Sequence, residues 1–437
     1  MFFISLLNIA FLLIIIWFFY KKASNEPLRH FFVVGLVLKI LGGISLGLVY
    51  SHYYQGGDTF IFYQEAVRLK EFFYESPGGF FSLLWSGGTD SIPAGLVFWD
   101  QPRALLFSAI ISLLLIITFS NYWIIGMYLS VFSFWGLWVL ANRIVQYYPR
   151  LKLETAIALL IFPSTIFWSS GLLKESFVMG LMAIVLSIFL ELYRHSKISW
   201  LKILISTIIF IIIFQLKYYY VAILIPVLFS TVIVQVLKNK VNKIETSFNR
   251  QVKIWIVVFI TITLAATSMH PNLNLDRFLE VLVLNHDLTL QASPNSGHIH
   301  FYNLTPEISS VLVNLPLAWI GGLFLPLPFQ SDSMLAMLTG VENLIILIFS
   351  VAAIANCIKM SLPSSTDRLL IFACLVYCCL LGALLALSTP NYGTLARYKV
   401  GFLPFFLLLI LSANPWLQRL KEVPWVISLL GDKKQNV

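Results

Sequence analysis

The sequence predicts an all-α protein, a polytopic transmembrane bundle of about ten to twelve helices. Two observations carry that expectation. Of its 437 residues, 59% are hydrophobic and only 11% are charged, whereas a soluble domain carries roughly 25% charged residues. The apolar residues also gather into about ten runs near the length that crosses a hydrocarbon core as a helix. No internal repeat, low-complexity tract or soluble domain stands out, so one integral membrane domain over 1–437 is the simplest division.

The formal net charge is +9. Its Lys and Arg residues sit in short clusters between apolar runs, where the positive-inside rule puts them. That pattern points to membrane lipids and argues against nucleic acid as a partner. Cys357, Cys374, Cys378 and Cys379 lie in or beside late apolar runs; without a CxxC pair and nearby His they read as helix packing.

The opening run, "MFFISLLNIAFLLIIIWFFY", has no basic residue before it and no small-residue cleavage site after it, so it reads as a retained first helix. The basic segment "KKASNEPLRH" (21–30) then argues for cytoplasm and puts residues 51–103 outside, as a first non-cytoplasmic loop. Within it, "FIFYQEAVRLKEFFYE" (60–75) spaces Phe62, Ala66, Leu69 and Phe73 near a helical period, which predicts an amphipathic helix lying in the interface. Asp58 follows Gly56 and Gly57 and precedes that helix, the position of an N-cap.

Residues 104–141 have the length of two crossings but must cross an odd number of times to reach the basic "NRIVQYYPRLK". Either part of them is re-entrant, or the polar segment 80–99 dips into the membrane. Next, "FPSTIFWSSGLLKES" (162–176) breaks an apolar stretch with Pro163, Gly171, Lys174 and Glu175, as two helices meeting at a polar turn would. A bland reading has Lys174 snorkelling and Glu175 opening the next helix.

Basic stretches at 191–202, 238–253 and 356–368 and in the C-terminal tail are assigned to the cytoplasm. Segment 162–176, "LKYYY" (216–220), a long loop over 270–332 and "STPNYGTLARYK" (388–399) then fall on the opposite face. The long loop holds "NHD", "GHIHFYN" and "WIGGLFLPLPFQ", whose prolines and glycines argue for a re-entrant or kinked segment; loops of that length are usually functional. His298 and His300 could share a metal only on an extended backbone with a third ligand from elsewhere. Arg397 and Lys399 sit at an outer helix end, against the positive-inside trend, and the guanidinium fork matches a phosphate. The bland alternative is a salt bridge from Arg397 to Asp58 or Glu175 that only fixes the fold.

"DTFIFYQEAVRL", with Asp58, Tyr63, Ala66 and Leu69 at offsets of zero, five, eight and eleven, resembles the first non-cytoplasmic loop of GT-C glycosyltransferases, integral membrane enzymes that use lipid-phosphate sugars. The resemblance implies a GT-C-like fold and Asp58 as general base, taking a proton from an acceptor hydroxyl as it attacks the sugar C1. It makes Arg397 the ligand of the lipid phosphate. Lys399, Lys174, Glu175, Tyr63, Lys217 and Arg103 complete the substrate-binding candidates. The implied partners are a polyprenyl-(di)phosphate sugar donor and a glycan, lipid or protein acceptor, at a bacterial cytoplasmic membrane. Where the family often has a second acidic residue this chain has Thr59, so no cofactor is demanded and a divalent metal stays an open alternative. A polysaccharide polymerase or ligase acting on lipid-linked oligosaccharides is the nearest rival. A transporter would show paired broken helices and midplane charges, and a scaffold would tolerate loss of every charged candidate.

Overall fold

A computed structural model describes residues 2–54, 56–86, 95–195, 198–240, 247–269, 274–294, 296–330, 334–359 and 365–430. Among these residues the regular structure is helical, apart from one isolated bridge between His298 and Asn391. Among the described residues eight helices are long and apolar enough to cross a membrane, and the pair Tyr392–Gly401 and Leu403–Ser412, bent by 70°, would make a ninth span. Two more apolar helices, Pro102–Thr118 and Ile308–Phe324, have 17 residues each. At 1.5 Å per residue such a helix reaches only about 26 Å, against a hydrocarbon core of about 30 Å. The protein is thus an all-α, multi-pass membrane protein, and these two shorter helices account for apolar runs that fall below a full span.

The helices form two compact units: Met1–Ile188 with Ser199–Tyr218, and Phe189–Ile198 with Tyr219–Val437. In the first, α1 (Phe2–Ala23) and α2 (Phe32–Leu48) pack on α6 (Tyr122–Tyr147). Phe32 sets its edge against Phe134 and Trp138, with ring centroids 5.3 and 5.0 Å away. Helix α3 (Asp58–Glu75) lies against α4 (Pro77–Ser86) and α5 (Pro102–Thr118). Its predicted apolar face is the packed one: Phe62, Ala66 and Leu69 are buried and Phe73 is half-buried. Leu69 belongs to a core with Phe72, Phe80, Leu83, Leu96, Leu105 and Ala109, and Phe73 packs against it. The face read as a membrane-surface contact is therefore used against protein. Of the segment 80–99, residues 87–94 lie outside the described residues.

Three helices complete this part of the chain: α7 (Lys152–Ala156), α8 (Pro163–Trp168) and α9 (Lys174–His195). Helix α6 crosses α9 so closely that a Cβ on Gly136 would collide with the backbone of Gly180, the small-residue contact that membrane helices use. The 41-residue α10 (Trp200–Lys240) leaves helical geometry at Lys217, with φ −144° and ψ 65°. Pro226 is more than two turns further on, too far to cause the break.

The second unit is built around α15 (Ser365–Ser388), against which α11 (Phe248–Met269), α12 (Leu275–Ala292), α13 (Ile308–Phe324) and α17 (Leu403–Ser412) pack. Helix α14 (Met334–Lys359) contacts α13 and α17. Short helices α16 (Tyr392–Tyr398), α18 (Pro415–Leu420) and α19 (Pro424–Leu430) complete it. Gly322 on α13 meets the backbone of Gly382 on α15. The stretch 270–332, read from sequence as one long loop, contains α12 and α13. Among the candidate spans, α1, α11 and α14 bury the smallest share of their residues and expose Phe11, Trp17, Leu264, Ile348 and Ile354, as lipid-facing helices do.

Candidate functional site

Asp58 is the first residue of α3 rather than its cap: Gly57, at φ 104°, holds the capping position and makes no side-chain bond. The half-buried carboxylate lies in the first helical turn, where exposed N–H groups favour negative charge. Helix α3 is then fixed along its length. The hydroxyls of Thr59 and Tyr122 are 2.9 Å apart, and the Tyr63 hydroxyl donates to the Ser120 carbonyl at 2.6 Å. Partial burial lifts the Tyr63 phenol above its ordinary pKa. Glu65, fully buried, accepts the N–H groups of Val97 at 2.6 Å and Phe98 at 3.3 Å and lies 3.5 Å from Arg68.

The polar turn expected at 162–176 is present. Pro163 occupies the first turn of α8, and the chain then bends through Ser169–Leu173 before α9 starts at Lys174. This bend is gripped from several sides. Gly171, at φ 68°, gives its N–H to Ser130 on α6 at 2.9 Å, and a Cβ there would strike Leu46 and press on Gly43 of α2. Ser176 donates to the carbonyls of Gly171 and Leu173, each at 2.7 Å. Lys39, buried within α2, bonds the hydroxyl of Ser169, which donates to the Thr165 carbonyl.

The turn delivers two candidates into contact with other elements. Lys174 places its ammonium 4.8 Å from the ring centroid of Phe62, one helical turn along α3 from Asp58. Glu175 meets Lys217 at 2.8 Å, with side-chain exposures of 1% and 4%. Beside Lys217, Tyr218 lies under the exposed Arg103 guanidinium, 4.1 Å from its ring centroid. Asp58, Tyr63, Arg103, Lys174, Glu175 and Lys217 thus all belong to the first unit.

Arg397 and Lys399 belong to the second unit. Asn391 caps α16 by accepting the Thr394 N–H at 3.1 Å. Arg397, 9% exposed in the last turn of α16, lies over the Tyr398 ring at 5.0 Å and donates to its hydroxyl at 3.3 Å. Tyr220 donates to the Tyr398 carbonyl at 2.8 Å. Lys399 is buried and donates to the carbonyls of Leu325 at 2.6 Å and Leu323 at 3.3 Å. Those carbonyls close the C-terminal end of α13, where the helix dipole attracts a cation, so the Lys399 ammonium is already engaged by the fold.

Sequence reasoning passed over Lys39 and Glu65. The signal for Lys39 was a lone cation in the middle of "FFVVGLVLKILGGISLGL", because an ionisable group inside a span marks an internal contact or a site. The signal for Glu65 was its place seven residues after Asp58, on the face that also holds Phe62 and Leu69. Among the described residues, His, Cys, Asp and Glu side chains nowhere gather in groups of three or more that could hold a metal ion. Comparison of the chain with protein families, with curated proteins and with solved structures gives no match.

Proposed function

We propose that the protein is a membrane glycosyltransferase that moves a sugar from a polyprenyl-(di)phosphate carrier to an acceptor hydroxyl at the outer face of a bacterial cytoplasmic membrane. The supporting observation is the ionisable cluster of the first unit. The buried Glu175–Lys217 pair sits at a break in α10, Lys174 stands next to it in sequence, and Phe62 joins Lys174 to the helix that Asp58 begins. Charges so concentrated in a membrane-spanning chain cost free energy that pairing only offsets, and their retention marks a functional-site candidate.

In this reading the Asp58 carboxylate accepts the proton of the acceptor hydroxyl as its oxygen bonds to the sugar C1. The bond from C1 to the phosphate oxygen breaks, and its electron pair leaves with the carrier phosphate. Cations stabilise that growing charge: Lys174 is the cation assigned to it within the first unit, and the assignment of Arg397 to the phosphate rests on its planar fork of donors alone. Glu175 and Lys217 position the turn that carries Lys174. Tyr63 and Arg103 are assigned to the substrate. Direct displacement with one base inverts the anomeric centre.

The test is transfer of radiolabelled sugar from isolated lipid-linked donors by membranes holding equal amounts of wild-type, Asp58→Asn and Arg397→Ala protein. The reading expects Asp58→Asn to lose transfer while still binding donor, and Arg397→Ala to bind donor more weakly. Full activity in both variants, or retention of the anomeric configuration, would overturn it.

A further inference from the structure

Between α12 and α13 the chain is held at two places. Ile299 gives its N–H to the Pro390 carbonyl and Tyr392 gives its N–H to the Gly297 carbonyl, both at 3.0 Å, which forms the bridge between His298 and Asn391. Further along, the Asn314 amide accepts the Tyr302 N–H and donates to the Tyr302 carbonyl, each at 2.8 Å. Next to such a bridge, successive side chains alternate between faces. Ile299 turns inward, 3% exposed and close to Gly321 of α13, so His298 and His300 share the other face. Their ring centroids are 4.2 Å apart.

We propose that His298 and His300 form a chelating site for a late first-row divalent cation of the Zn²⁺ class. Imidazole nitrogen suits these ions, whereas Mg²⁺ and Ca²⁺ prefer oxygen donors. The His298 Nδ1 lies 3.2 Å from the Ser296 carbonyl. In the neutral tautomer with its proton on Nδ1 the ring donates to that carbonyl and Nε2 keeps its lone pair for a metal, the arrangement that orients ligating histidines generally. The half-buried His298 and exposed His300 sit on a segment pinned at both ends, so the paired rings are presented with little further ordering. With two protein nitrogens the site is open, and water or an oxygen donor fills the remaining positions. The sequence set two conditions for a shared metal, an extended backbone and a third ligand: the bridge at His298 bears on the first, and among the described residues no third His, Cys, Asp or Glu joins the pair.

The inference is independent of sugar transfer, and its test needs no donor. Chelator-stripped, untagged full-length protein in detergent is titrated with Zn²⁺, following bound ion per chain and the thermal midpoint. One saturable site is expected, with the midpoint rising as free metal exceeds the dissociation constant. His300→Ala and His298→Ala are each expected to weaken binding by about tenfold or more, comparable to the loss of an orienting partner at a metal site. His30→Ala, at an exposed histidine elsewhere, should leave binding unchanged. Because His300 is exposed, its variant keeps the core intact, and an unchanged metal-free midpoint checks that directly. Absence of a saturable site, or equal binding by wild-type and His300→Ala protein, would overturn the proposal.

Discussion

Lys217 meets Glu175 at 2.8 Å where α10 leaves helical geometry, with both side chains almost completely withdrawn from solvent. A buried pair of this kind carries a large desolvation cost on each ion, which mutual attraction offsets only while both partners remain.

Removing one partner should therefore be worse than removing both. Glu175→Ala is expected to lose about 3–5 kcal/mol of stability, because it leaves Lys217 buried without its carboxylate. The double variant Glu175→Leu with Lys217→Met should recover most of that loss. Unfolding midpoints of detergent-solubilised variants measure it; a double variant as unstable as Glu175→Ala would refute the pairing argument. Transfer activity then separates roles, since a pair that only holds the fold leaves the stable double variant active.

Close helix approach gives a second expectation. A Cβ at Gly322 would overlap the backbone of Gly382, which cannot rotate away, so α13 and α15 must separate. Gly322→Ala should destabilise by at least about 1–3 kcal/mol, the usual range for overpacking a tight core. Gly78, on α4, has nothing within 4 Å of its would-be Cβ; there alanine should be neutral or stabilising by about 0.5–1 kcal/mol. Thermal midpoints of the two variants moving together would contradict the crossing geometry.

What the sequence could and could not reveal follows from the range of each interaction. Composition and apolar run length disclosed the all-α, multi-pass class. Local periodicity disclosed the packed face of α3, and Pro163 with Gly171 disclosed the turn before α9. Helix α12 was hidden by its polar text: "LDRFLEVLVLNHDLTLQA" reads as a loop, although Leu279, Leu282 and His286 are its buried residues at helical spacing. The Glu175–Lys217 pair was not legible because its partners are 42 residues apart, and nothing local required a break at Lys217. Likewise, no spacing rule told that Lys399 would be engaged by carbonyls of α13 rather than left to meet an anion.

Lys39 supplies the last prediction, which turns on an asymmetry. Its amine bonds the Ser169 hydroxyl, and that hydroxyl gives its own proton to the Thr165 carbonyl. Lys39→Met nearly conserves volume and leaves Ser169 still bonded to Thr165, so no buried group is orphaned and stability should hold or rise. Ser169→Ala does the reverse: it keeps the long polar side chain in the apolar core and removes its acceptor, at a cost of about 1–3 kcal/mol for the unmet bond. Unfolding midpoints of the two variants should therefore shift in different directions or by clearly different amounts. Equal losses would mean that Lys39 is held by its packing rather than by Ser169. Because Ser169 opens the bend that leads to Lys174 and Glu175, a stable Lys39→Met protein with reduced transfer would make Lys39 a positioning residue for that turn.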